Sequence, residues 1–137
     1  MYSKKEEFLN TITHFFGLIL TIIGIPIMLY FNNDYTEYSL FSIILFLFGL
    51  FCVYLSSTIY HHTTNKKLKS VFQKLDHISI FYLILGSYAP VCLITLLDFS
   101  GITIFLIVFI LAIIGTILKV FLTGKIEKAS ILLYLVM

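Results

Sequence analysis

In a chain that is mostly apolar, the residues able to do chemistry fall into three sets: Glu7, Asn10 and His14; Ser57 and His61; and Asp76 with His77. Glu7, Asn10 and His14 are spaced three and then four apart, which lines up a carboxylate, an amide and an imidazole on one helix face. Ser57 and His61 are four apart, so a hydroxyl and an imidazole lie one above the other on another helix. Neutral imidazole is a common zinc ligand, and a nearby hydroxyl can orient a metal-bound water. Two of the sets also have a plainer account. The first reads equally as a polar collar at an interface, and His61 as a helix-end histidine, with His62 beside it facing a loop.

These side chains matter because of what surrounds them. Hydrophobic residues make up 60% of the 137, charged residues only 12%, and the mean hydropathy is +1.05. Soluble domains carry about 25% charged residues. Lipid is therefore the expected solvent, and an ionisable group at membrane depth is costly enough to suggest a function. Four apolar stretches, residues 13–31, 39–60, 78–97 and 101–121, come close to the roughly 20 residues that cross a hydrocarbon core. A fifth begins near Ser130 and is too short to span by Met137. The runs are continuous rather than alternating, which favours helices over barrel strands. The expected fold is all-α: one polytopic transmembrane bundle over residues 1–137, with four complete helices and the start of a fifth.

Pro26 and Pro90 fall inside these helices, as membrane helices tolerate. Gly17 and Gly24 read either as points of close helix contact or as ordinary membrane glycines. The run Gly86-Ser87-Tyr88-Ala89-Pro90 predicts a tight contact or a bend near the outer end of the third helix. No small-residue cleavage pattern closes the first apolar run, so it reads as a retained helix rather than a secretory signal. Cys52 and Cys92 lie within apolar runs and read as buried thiols, not a disulfide framework. The net charge of +2 is too small to argue for a nucleic-acid partner, and the expected partner is membrane lipid.

Charge alternates from gap to gap. Residues 32–38 carry Asp34 and Glu37, and residues 98–100 carry Asp98. Residues 62–77 carry Lys66, Lys67, Lys69 and Lys74 against Asp76, and residues 122–129 carry Lys125 and Lys128 against Glu127. Lysine-rich short loops stay in the cytoplasm, so the N-terminus with Lys4 and Lys5 is expected there, in a multi-pass protein of the cell membrane. Lys119, near the inner end of the fourth helix, is expected to snorkel to the headgroups. This topology gathers Glu7, Asn10, His14, Ser57, His61 and Asp76 at one depth near the inner leaflet.

Four segments together carry a resemblance. Glu6-Glu7-Phe8-Leu9-Asn10-Thr11-Ile12-Thr13-His14, then Ser57-Thr58-Ile59-Tyr60-His61, then Leu75-Asp76-His77 and Gly86-Ser87-Tyr88-Ala89-Pro90 resemble, in order and spacing, the hemolysin III branch of the progestin and adipoQ receptor family. The resemblance implies a seven-helix protein with a cytoplasmic N-terminus, related to zinc-dependent membrane hydrolases and alkaline ceramidases. It implies a zinc ion near the cytoplasmic face with His61 as one ligand, and with Ser57 and Asp76 close to it through water. Zinc there would lower the pKa of a bound water towards about 7 and polarise a carbonyl. Asp76 would act as general base or orient the water, and a lipid amide would suit a site opening to the inner leaflet. The family's other two ligands come from a His-x-x-x-His element on the last helix. The present sequence lacks that element and is expected to be a truncated piece of the architecture with an incomplete zinc site. Membrane permeabilisation, lipid sensing without chemistry, and an inactive fragment are the alternative expectations.

Overall fold

The computed structural model describes residues 3–121 and 127–137. Among them, four helices are long and apolar enough to cross a membrane. Helix α1 spans Lys4–Tyr30, α2 Ser39–His62, α3 Lys66–Pro90, α4 Gly101–Phe121 and the short α5 Glu127–Val136. The side chains of Lys125, Glu127 and Lys128, which entered the charge alternation, lie outside the described residues.

Helix α1 starts well before its apolar stretch because Ser3 and Glu6 form a reciprocal cap. Glu6 N donates to Ser3 Oγ at 3.3 Å, and Ser3 N donates to Glu6 Oε2 at 2.6 Å. Glu7, Asn10 and His14 therefore sit on helix, as their spacing requires.

The largest departure from the sequence reading concerns the lysine-rich gap of residues 62–77. Only residues 63–65 connect α2 to α3, and the rest of that gap is helical. Asn65 starts α3 by accepting from the backbone N–H groups of Lys67 and Leu68 at 3.0 and 3.3 Å. Leu68, Val71 and Leu75 follow at helical spacing and remain exposed among lysines. A search for apolar length finds the lipid-crossing part of a helix and misses amphipathic turns that project beyond it. Asp76 and His77 accordingly lie ten and eleven residues into α3, not at its start.

At its other end α3 passes through Pro90 into a five-residue π-helical segment, Val91–Thr95. Proline lacks the N–H that an α-helix needs, and the wider turn accommodates the loss. Thr36, between α1 and α2, donates its hydroxyl to the Leu93 carbonyl at 2.9 Å. The α1–α2 and α3–α4 connections therefore share one end of the bundle, and the N-terminus shares the opposite end with residues 63–65.

Close approach is set by glycine. A Cβ on Gly49 would stand 2.7 Å from the Tyr82 carbonyl oxygen, and one on Gly86 2.7 Å from that of Leu45. These reciprocal contacts bring α2 and α3 backbone to backbone. Gly17 lets the Tyr54 ring lie against α1, whereas a Cβ on Gly24 would meet nothing within 4 Å. Of the two glycines noted in the first helix, only Gly17 makes a close contact.

The apolar core lies between α3 and α4: Phe81, Leu85, Val108 and Ala112 are buried with Met137, and Phe81 packs on Tyr134 of α5. The outer faces of α1 and α4 expose rows of Leu, Ile and Phe, as lipid-facing surfaces do. Thr21, Ser42, Thr58 and Thr116 return their hydroxyls to carbonyls four residues back, which satisfies them without water.

Candidate functional site

The first turns of α1, the last turns of α2 and the early turns of α3 meet at the N-terminal end of the bundle. Glu7 reaches across from α1 and bridges the other two helices. Its Oε2 lies 2.7 Å from His61 Nδ1 and its Oε1 2.9 Å from Lys69 Nζ. The His61 side chain is 8% exposed and that of Glu7 18%. An ionised carboxylate only accepts, so Nδ1 donates in this pair. Two turns along α1, the His14 ring stacks on His61 with centroids 5.6 Å apart and planes within 4°. His14 also packs against Tyr54. Asn10 sits between Glu7 and His14, half-buried, and no side-chain hydrogen bond joins it to the cluster among the described residues.

One turn back along α2 from His61, the buried Ser57 hydroxyl donates to Asp76 Oδ1 on α3. Below it Ser79 donates to the Asp76 carbonyl at 2.7 Å and shares a hydrogen bond of 2.9 Å with Ser56. A patch of hydroxyls thus ties α2 to α3 around Asp76 and fixes its carboxylate. His62 is exposed, as a loop-facing residue should be.

His77 faces a different quarter. Its carbonyl accepts from the Tyr134 hydroxyl at 2.7 Å. Its side chain lines a cavity of about 330 Å³ with Gln73, Lys119, Ser130 and Tyr134. Lys119 is 3% exposed and contributes to that lining, so it is buried within the bundle rather than snorkelling to headgroups.

The structure thus joins Glu7 to His61, His61 to His14, and Ser57 to Asp76. Three participants were not singled out from sequence: Lys69, Ser56 and Ser79. Lys69 looked like one loop lysine among four. The available signal was its position seven residues before Asp76, which on a helix is the same face. Among the described residues no three His, Cys, Asp or Glu side chains gather closely enough to hold a metal ion.

Membrane-length helices with an imidazole, a hydroxyl and two carboxylates drawn together at one end define a multi-pass α-helical membrane protein with a polar centre at one boundary of its apolar span. The chain belongs to the haemolysin-III related family, whose model matches residues 2–137. It is 36% identical over its full length to the Hemolysin-3 homolog of Bacillus subtilis strain 168, and 37% identical over 97% of its length to Hemolysin-3 of Bacillus cereus. It spans 65% and 61% of the lengths of those two relatives. No solved structure matches it.

Proposed function

We propose that this chain is the N-terminal part of a hemolysin III-type protein of the cell membrane, with its N-terminus in the cytoplasm, and that the whole protein hydrolyses a lipid amide with the aid of zinc. The observation that carries this reading is a pair of side-chain contacts one turn of α2 apart, Glu7 on His61 and Ser57 on Asp76, at one end of an otherwise apolar bundle. Groups that are costly in lipid persist at such a place when they handle a polar reaction.

Among the described residues the donors do not by themselves fit a zinc ion: His14 and His61 lie ring on ring, Glu7 is taken up by His61 and Lys69, and Asp76 is already held by Ser57. They fit one wall of such a centre, with His61 as one ligand in the whole protein. Independently of any metal, Ser57 holds the Asp76 carboxylate in place, and Asp76 accepts the proton of an attacking water. The lysines of residues 4–5 and 66–74 support the cytoplasmic orientation, which puts the site within reach of an inner-leaflet headgroup.

The deciding experiment is turnover of a lipid amide by the whole protein in vesicles, with and without a chelator. Chelator-sensitive release of fatty acid is the expected result. Turnover indifferent to chelator, or none on any lipid amide, removes the reading. A second reading comes from the names of the relatives, Hemolysin-3 and its homolog, and is membrane permeabilisation. Dye release from liposomes at low protein-to-lipid ratio, without amide turnover, would favour it.

A further inference from the structure

Lys69 ties two other helices into the site. Its ammonium lies 2.9 Å from Glu7 Oε1 and donates to the carbonyls of Tyr60 and Thr63, each at 3.3 Å. It also lies 4.8 Å from the centre of the Tyr60 ring. An ammonium has three N–H donors, and these three acceptors match them one for one. Two of the acceptors are carbonyls at the C-terminal end of α2, where unpaired oxygens and the negative end of the helix dipole favour a cation. Lys69 is thus anchored to the end of α2 while it holds Glu7. Glu7 in turn spends its second oxygen on His61 Nδ1. The backbone of α1 packs along α2 and reaches α3 through side chains only, among the described residues.

We infer that Glu7 and Lys69 are positioning residues which fix the His61 ring with its proton on Nδ1 and its lone pair on Nε2. The inference deepens the proposed function, since His61 is the imidazole assigned there to the reaction centre. The physical reason is that the hydrogen bond made by one ring nitrogen sets the state of the other. A carboxylate at 2.7 Å accepts and cannot donate, so it holds the proton on Nδ1. Lys69 aims that carboxylate by holding its other oxygen at 2.9 Å. Without Lys69 the carboxylate can swing away from the ring, and without Glu7 the Nδ1 proton loses this acceptor. The ring face is set separately, by stacking against His14. Ring plane and tautomer are therefore fixed by two residues of one helix, seven positions apart.

The test is nitrogen NMR of the 137-residue chain, labelled at histidine and reconstituted in lipid nanodiscs, with the His61 signals assigned by their loss in His61→Gln. In the neutral ring of the wild type, the proton is expected on Nδ1. Glu7→Ala should move it to Nε2, and Glu7→Gln should do the same, because the single amide oxygen is taken by the Lys69 ammonium and the NH2 group then donates to Nδ1. Lys69→Met should speed exchange of the Nδ1 proton by roughly tenfold or more, the scale of a lost charge-assisted hydrogen bond, and Lys69→Arg should restore slow exchange. A wild-type ring with its proton on Nε2 overturns the inference, as does a Glu7→Ala variant with an unchanged tautomer. Exchange unaltered in Lys69→Met removes Lys69 from it. Should Glu7→Ala lose helix content by circular dichroism, the wild-type tautomer and the Lys69 pair decide the matter. Because none of these readouts uses turnover or metal, a fixed tautomer in a protein without hydrolase activity refutes the proposed function alone.

Discussion

Asp76 accepts from the Ser57 hydroxyl across the contact between α2 and α3. Ser57→Ala leaves that carboxylate oxygen short of a partner. The expected loss is about 1–3 kcal/mol, visible as a lower midpoint of thermal unfolding in detergent. Asp76→Asn keeps the shape and removes the basicity. In the whole protein it should reduce lipid-amide turnover on the order of a hundredfold or more with helix content unchanged; near-wild-type turnover would take Asp76 out of the chemistry. At this scale much of the site was legible. Glu7, His14, His61 and Asp76 are conspicuous because each is expensive in lipid, and helical spacing pairs Glu7 with His14 and brings Ser57 in beside His61. Lys69, Ser56 and Ser79 were not legible. A lysine among lysines is unremarkable, and a serine in a membrane helix satisfies itself on its own backbone unless a neighbour comes within reach.

At the scale of a helix, the apolar stretches located α2, α4 and the lipid-crossing part of α1 because lipid demands about 20 apolar residues and little else. They misplaced the start of α3, whose early turns belong to the headgroup region and are governed by the Asn65 cap instead. Asn65→Ala should therefore cost about 0.5–2 kcal/mol and accelerate amide hydrogen exchange at Lys67 and Leu68 before any change appears in the buried part of α3. The α2–α3 pair is held closest where glycine removes a side chain. Gly86→Ala places a methyl against the Leu45 carbonyl oxygen, a backbone atom that cannot step aside without moving α2. It should destabilise by about 1–3 kcal/mol in a denaturation series. Gly24→Ala meets open space and should be neutral or stabilising by up to about 1 kcal/mol. Equal losses at Gly24 and Gly86 would contradict the packing described.

For the whole molecule, the arrangement of connections makes a statement about sidedness. Ser3→Cys and Thr64→Cys should react with a maleimide that does not cross the bilayer from one side of the membrane, and Asp34→Cys and Ser100→Cys from the other. With the proposed orientation, the first pair is protected in intact cells and labelled in inverted vesicles. Labelling of Ser3→Cys and Thr64→Cys from opposite sides would dissolve the cluster altogether, since Glu7 must stand beside His61 and Lys69.

Hydropathy is a sum along the chain. The sequence alone therefore determined the solvent, the helical class, the four membrane-length helices and the residues that resist burial. Which of those residues touch is not a sum. It depends on how each helix is rotated and how closely it crosses its neighbour, and that follows from where backbones can meet, as at Gly49 and Gly86. Only the tertiary structure could place one carboxylate between an imidazole and an ammonium contributed by two other helices. The packing of α4 beside α3 and α5 likewise turned Lys119 from an interfacial cation into the lining of a cavity.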